Sequence, residues 1–123
     1  MAVVELTEQN FEQTINDSSF VIVDFWATWC GPCRSFAPVF EKVSNDHDDI
    51  VFAKVNTEDA QGIAAHFQIR SIPTLMIFRD QVIIFSQPGA LPESSFRELI
   101  GKAQELDMDK VRADIADQQS DKA

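Results

Sequence analysis

The chain is predicted to fold as one α/β domain, a central mixed β-sheet flanked by helices on both faces. Three observations lead there. The run Phe20–Trp26 is apolar except for Asp24, as expected of a strand covered on both sides. Strand-like and helix-like segments alternate along the chain and close with a hairpin and a helix, which combines parallel crossovers with an antiparallel edge. The length of 123 residues, 45% of them hydrophobic, suits a single domain with a sizeable core.

Val3 to Leu6 reads as a short strand. Thr7 is placed to cap a helix with Glu8 in its first turn, where the dipole favours an acid, and with Phe11 and Ile15 on one face. Asp17-Ser18-Ser19 ends that helix before the strand Phe20–Trp26. The next helix starts at the cysteines and runs to about His47. Phe36, Val39, Phe40 and Val43 form its apolar stripe, and Pro38 inside it predicts a kink.

Asn45 to Asp49 is a turn, and Ile50 to Val55 is the second central strand, with Lys54 its one charge. Thr57 is a candidate cap for a helix reaching about Phe67. After the loop Arg70 to Thr74, the strands Thr74–Phe78 and Val82–Ser86 make a hairpin around Arg79-Asp80-Gln81. Asp-Gln in place of Asn-Gly leaves the turn type open. Pro88-Gly89-Ala90 is a bend. Pro92 fits the first turn of a last helix that buries Phe96, Leu99, Ile100 and Ala103.

Residues 1–103 therefore form the domain, and residues 104–123 an acidic tail with six acids and three bases. One expectation for this tail is a frayed or disordered, solvated extension of the last helix. The other is a separate helix, capped by Asp107, that docks through Met108, Val111 and Ile115.

A net charge of −10 argues against nucleic acid or an anionic membrane as the main partner. The apolar runs are too short to span a bilayer. Met1 to Leu6 lacks the basic and long apolar regions of an export signal, so a reducing cytoplasm is the expected location. There a cysteine pair is more readily catalytic than structural.

The only two cysteines stand in Trp29-Cys30-Gly31-Pro32-Cys33, between the central strand and a helix. Residues i and i+3 are neighbours on a helical turn, within disulfide reach, which points to a reversible dithiol/disulfide. A purely structural disulfide across so short a loop gains little from loop closure. A metal centre needs about four ligands, and His47 and His66 show no paired ligand spacing. No metal and no tightly bound cofactor are expected, since the dithiol itself carries the electrons. Asp24 is either a desolvated acid with a raised pKa, available as a base, or, like Lys54, a strand-end charge reaching solvent.

Val23-Asp24-Phe25-Trp26-Ala27, Trp29-Cys30-Gly31-Pro32-Cys33, Ala37-Pro38, Ala53-Lys54-Val55-Asn56, Ile72-Pro73-Thr74 and Gly89-Ala90 closely resemble the thioredoxin family in order and spacing, over about residues 3 to 103. The resemblance implies the thioredoxin fold. It also implies reduction of disulfides in client proteins, with recycling by a thioredoxin reductase whose electrons come from NADPH or, in the other reading, from ferredoxin. Cys30, at a helix N-terminus, is the expected nucleophile, and Cys33, one turn inward and less exposed, the resolving thiol.

The resemblance further implies that Asp24 lies beneath Cys33 as its base, with Lys54 nearby, and that Ile72-Pro73 is a cis peptide. Trp29, Gly31, Pro32, Ile72, Pro73, Gly89 and Ala90 would form a shallow client-docking surface. Gly-Pro between the cysteines goes with the reducing end of the family's range. Arg34-Ser35, Pro88 and the tail depart from the commoner pattern. A monomer is expected. The alternative reading is a binding or chaperone subunit that acts through its tail and docking surface.

Overall fold

The computed structural model describes residues 3–121, with the side chains of residues 119–121 outside the description. Met1, Ala2 and the last two residues of the expected tail, 122 and 123, also lie outside the described residues. The order is β1 (Val3–Leu6), α1 (Phe11–Asp17), β2 (Phe20–Trp26), α2 (Gly31–Ser44), β3 (Val51–Asn56), α3 (Gln61–His66), β4 (Thr74–Arg79), β5 (Val82–Pro88), α4 (Glu93–Glu105) and α5 (Met108–Asp121). The strands form one sheet in the order β1-β3-β2-β4-β5. β1, β3 and β2 run parallel, and β4 and β5 are antiparallel to their neighbours, which is the mixed sheet expected.

β2 sits at the centre because both of its faces are apolar. Phe20 and Ile22 pack with Phe36, Phe40 and Val43 of α2 and with Phe96 and Ile100 of α4. Val21, Val23 and Phe25 point the other way, into a second cluster with Ile15 of α1 and Ile63 of α3. Leu99 and Val39 are only partly buried at the edge of the first cluster. α2 remains one helix through Pro38, whose side chain lies on the exposed face.

Helix starts differ most from expectation. α1 begins at Phe11, not after Thr7, because Thr7 closes a turn: its N–H donates to Asn10 Oδ1 (2.7 Å) and its carbonyl accepts from Phe11 N–H (3.0 Å). α3 begins at Gln61, because the Thr57 N–H and hydroxyl both donate to the Trp26 carbonyl, at 2.8 and 3.0 Å. Pro92 precedes α4 in an extended conformation (ψ 154°) instead of lying in its first turn. α2 stops at Ser44, three residues before His47, and the Ser44 hydroxyl donates to the Glu41 carbonyl (2.6 Å).

The hairpin turn has positive φ at both central residues, 50° at Asp80 and 70° at Gln81, the geometry of a type I′ turn. Non-glycine residues hold it with outside help. Asp80 N–H donates to the Ser19 carbonyl (2.9 Å), and Gln81 Nε2 to the Asn16 carbonyl (3.1 Å). The tail contains a helix distinct from α4. Asp107 Oδ1 accepts from the Asp109 and Lys110 amides (3.0 and 3.3 Å), Met108 is buried, and Val111 and Ile115 are half-buried. Arg112 pairs with Asp80 at 3.0 Å, tying α5 to the hairpin turn.

Candidate active site

The site forms where β2 ends and α2 begins. Cys30 is the N-cap of α2, in an extended conformation, with Gly31 and Pro32 as the first two helical residues. Proline fits there because that position has no intrahelical partner for an N–H. Cys30 and Cys33 are joined as a disulfide, with Cα atoms 5.2 Å apart. The Cys33 amide N–H points at Cys30 Sγ (3.2 Å), the place where a capping side chain accepts. On reduction, the same amide and the positive end of the 14-residue helix favour a thiolate on Cys30. Both cysteines are buried in this oxidised form, Cys30 at 4% and Cys33 at 2% exposure, so the expected contrast between them is slight.

Ile72-Pro73 is cis. The Ile72 carbonyl oxygen lies 3.7 Å from Cys30 Sγ, a contact without a hydrogen bond because the disulfide sulfur carries no proton. Gly89 N–H donates to the Pro73 carbonyl (2.7 Å), which holds the Gly89-Ala90 bend against this loop. Gly89 has φ 108°, a conformation that side chains rarely adopt, and open space where a Cβ would stand. Trp29 is 69% exposed and, with Ile69, Arg70, Ser71, Ile72 and Thr57, lines a groove of about 400 Å³ beside the cysteines. Gly31 and Pro32 are exposed, and Pro73 is buried.

Asp24 lies in β2, two residues before its end, and is 1% exposed. Neither carboxylate oxygen has a protein hydrogen-bond partner. Burial pushes its pKa up to about 7, with the Lys54 ammonium pulling the other way. Of the two readings open from the residues alone, Asp24 is the desolvated acid. Lys54 is only half-buried, and its Nζ lies 4.4 Å from the centre of the Trp26 ring.

Sequence reasoning missed Thr28, Arg34 and Glu58 as parts of the site's frame. Glu58 Oε1 accepts from Thr28 N–H (2.9 Å) and hydroxyl (2.7 Å), and Arg34 Nη1 donates to the Thr28 carbonyl (3.3 Å). These contacts span up to thirty positions, so no local signal marks them. Among the described residues, no three or more His, Cys, Asp or Glu side chains gather in a way that could hold a metal ion, and no helix is long and apolar enough to cross a membrane.

The sequence model of the family described as Thioredoxin matches residues 2–102. The chain belongs to the thioredoxin family. It is 56% identical over 117 residues to a Streptomyces coelicolor protein described as a candidate thioredoxin 2, covering 95% of this chain and 87% of that one. It is 39% identical over 100 residues to the thioredoxin of Buchnera aphidicola, covering 80% and 93%. Among solved structures, Plasmodium falciparum thioredoxin superposes with a TM-score of 0.75 at 31% identity, over 80% of this chain and 96% of that one. Malassezia sympodialis thioredoxin gives 0.74 at 34%, over 83% and 93%. These likenesses bear out the expected thioredoxin fold. Thioredoxins are protein-disulfide reductases, and here the Cys30–Cys33 pair stands at the active-site position, equipped for dithiol–disulfide exchange.

Proposed function

We propose that this thioredoxin reduces client protein disulfides with Cys30 as nucleophile and Cys33 as resolving thiol. The Cys30 thiolate attacks one sulfur of a client disulfide and expels the other as a thiolate, forming a mixed disulfide. Asp24 takes the proton from Cys33. The Cys33 thiolate then attacks Cys30 Sγ, closes the internal disulfide and releases the second client sulfur. Lys54 favours the ionised Asp24 carboxylate that accepts this proton. A thioredoxin reductase, with NADPH as the distal donor, restores the dithiol.

The observation that carries this reading is the Cys33 amide aimed at Cys30 Sγ at a helix N-terminus, on the strand-to-helix junction that follows buried Asp24. Trp29, Gly31, Pro32, Ile72, Gly89 and Ala90 form the client surface, and Pro73, buried behind them, supports the Ile72 and Gly89 backbone. The exposed Trp29 and its groove support that assignment, and an extended client segment would pair with the Ile72 backbone. The protein works as a cytoplasmic monomer whose partners are proteins, not nucleic acid or membrane. Residues up to about 103 carry the chemistry, in line with the extent of the family match, and the tail adds α5.

The test is NADPH-driven reduction of insulin disulfides by a thioredoxin reductase, with wild type and Cys30→Ser. Turnover that disappears in the variant supports the reading. A reduction potential above about −200 mV, with no turnover, overturns it. No turnover at a potential near −270 mV, a value of thioredoxins in general and not one derived from these residues, overturns the choice of reductase.

A further inference from the structure

The segment before the nucleophile is held from several directions. Glu58 Oε1 takes both the N–H and the hydroxyl of Thr28, at 2.9 and 2.7 Å. Next to it, Thr57 sends its N–H and hydroxyl to the Trp26 carbonyl, at 2.8 and 3.0 Å. Arg34 reaches back from α2 to the Thr28 carbonyl, at 3.3 Å. Trp29 follows at once, 69% exposed, as one wall of the groove whose other wall is Ile69 to Ile72.

We propose that Glu58 is a specificity-positioning residue: by clamping Thr28 it fixes the Trp29 wall of the groove, and so sets the fit of protein clients. The inference rests on the proposed client surface. Its physical basis is preorganisation. A wall already fixed loses less freedom when a client docks, and an ionised acceptor makes stronger hydrogen bonds than a neutral one. The Thr28 hydrogen bonds hold the Glu58 carboxyl below its usual range, so the acceptor is charged at neutral pH. Glu58 touches neither cysteine among its hydrogen bonds: its carboxylate accepts from Thr28, its own N–H donates to Asn56 Oδ1 (2.9 Å), and its carbonyl accepts from Gln61 Nε2 (3.2 Å). Its effect is therefore on docking, and a small disulfide that needs only the sulfur is indifferent to it.

The experiment compares wild type, Glu58→Ala, Glu58→Gln and Thr28→Val, each checked for an unchanged thermal transition. Steady-state kinetics are measured with insulin and with a small aromatic disulfide. Glu58→Ala should raise KM for insulin about threefold to tenfold, while kcat and the small-disulfide rate stay within about twofold. Glu58→Gln, which keeps an acceptor oxygen, should recover part of the loss. Thr28→Val, which keeps the N–H and loses the hydroxyl, should fall between wild type and Glu58→Ala.

An unchanged insulin KM in Glu58→Ala overturns the inference while leaving the reductase reading intact. So does an equal fall for insulin and the small disulfide, since that places Glu58 in the thiol chemistry. A wild type that leaves insulin oxidised fails the reductase reading and this inference with it.

Discussion

Asp24 and Lys54 are register partners across the parallel β2–β3 pair, on the face of the sheet that α2 covers. Their neighbours along the strands, Ile22 and Phe52, pack on that same face against Phe40. The two charges nevertheless differ in access to water. Lys54 is half-buried over the Trp26 ring, while Asp24 is sealed and unpartnered. Desolvation therefore outweighs the attraction of the ammonium, and the Asp24 pKa rises to about 7.

Stability should reflect this carboxyl. The folded protein holds the Asp24 proton to higher pH than the unfolded chain, whose value is near 3.8. Its contribution is thus full below pH 3.8, declines as pH rises toward about 7, and is flat above. Across that window the oxidised protein should lose up to about 4 kcal/mol from this group. Asp24→Asn should remove that decline, as read from urea unfolding at a series of pH values.

The same substitution should slow turnover. Without the proposed base for Cys33, the mixed disulfide should persist, its resolution at pH 7 slowing by about tenfold or more. Rapid-quench mass analysis of the client adduct measures this step.

Removing the cation tests the pairing from the other side. Lys54→Met takes away the one influence that lowers the Asp24 pKa, so the titration should move above the wild-type value. Carbon NMR of the Asp24 carboxyl in the oxidised protein follows it directly. An unchanged or lower value would show that the ammonium does not act on the carboxyl.

Phe40 is the hub of the α2-side core, with ring centroids 5.8 Å from Phe36, 5.4 Å from Phe52 and 5.8 Å from Phe96. Phe40→Ala should cost about 3–5 kcal/mol in chemical unfolding, because these rings cannot collapse fully into the vacated space.

Met108 anchors α5 at 5% exposure. Met108→Ala should lower stability by about 2–5 kcal/mol in chemical unfolding. Insulin turnover should remain at the wild-type level, since the variant alters a region outside the proposed chemistry.

The sheet was legible because its signal is local. Phe20–Trp26 is apolar on both faces but for Asp24 and so fits a strand covered on both sides, and the hairpin showed in two apolar runs around a polar triplet. Helix starts were less legible, since Thr7 and Thr57 look like caps while their hydrogen bonds close a turn and the end of β2. The cysteine pair was legible from its spacing at a strand-to-helix junction. The cis bond at Ile72-Pro73 and the Gly89 contact to Pro73 were not, because each depends on chain segments far apart in sequence. The family resemblance pointed to the cis bond, and nothing in the sequence pointed to the Gly89 contact. Glu58 on Thr28 had neither kind of signal.

The most direct test of the central claim is a trapping measurement. Reduced Cys33→Ser is mixed with a disulfide-bonded client, and the intact mass and the linked peptide are read. The account predicts a stable one-to-one mixed disulfide through Cys30, absent from the Cys30→Ser variant under the same conditions. A Cys33→Ser protein that forms no adduct, or a Cys30→Ser protein that captures the client equally fast through Cys33, would contradict it.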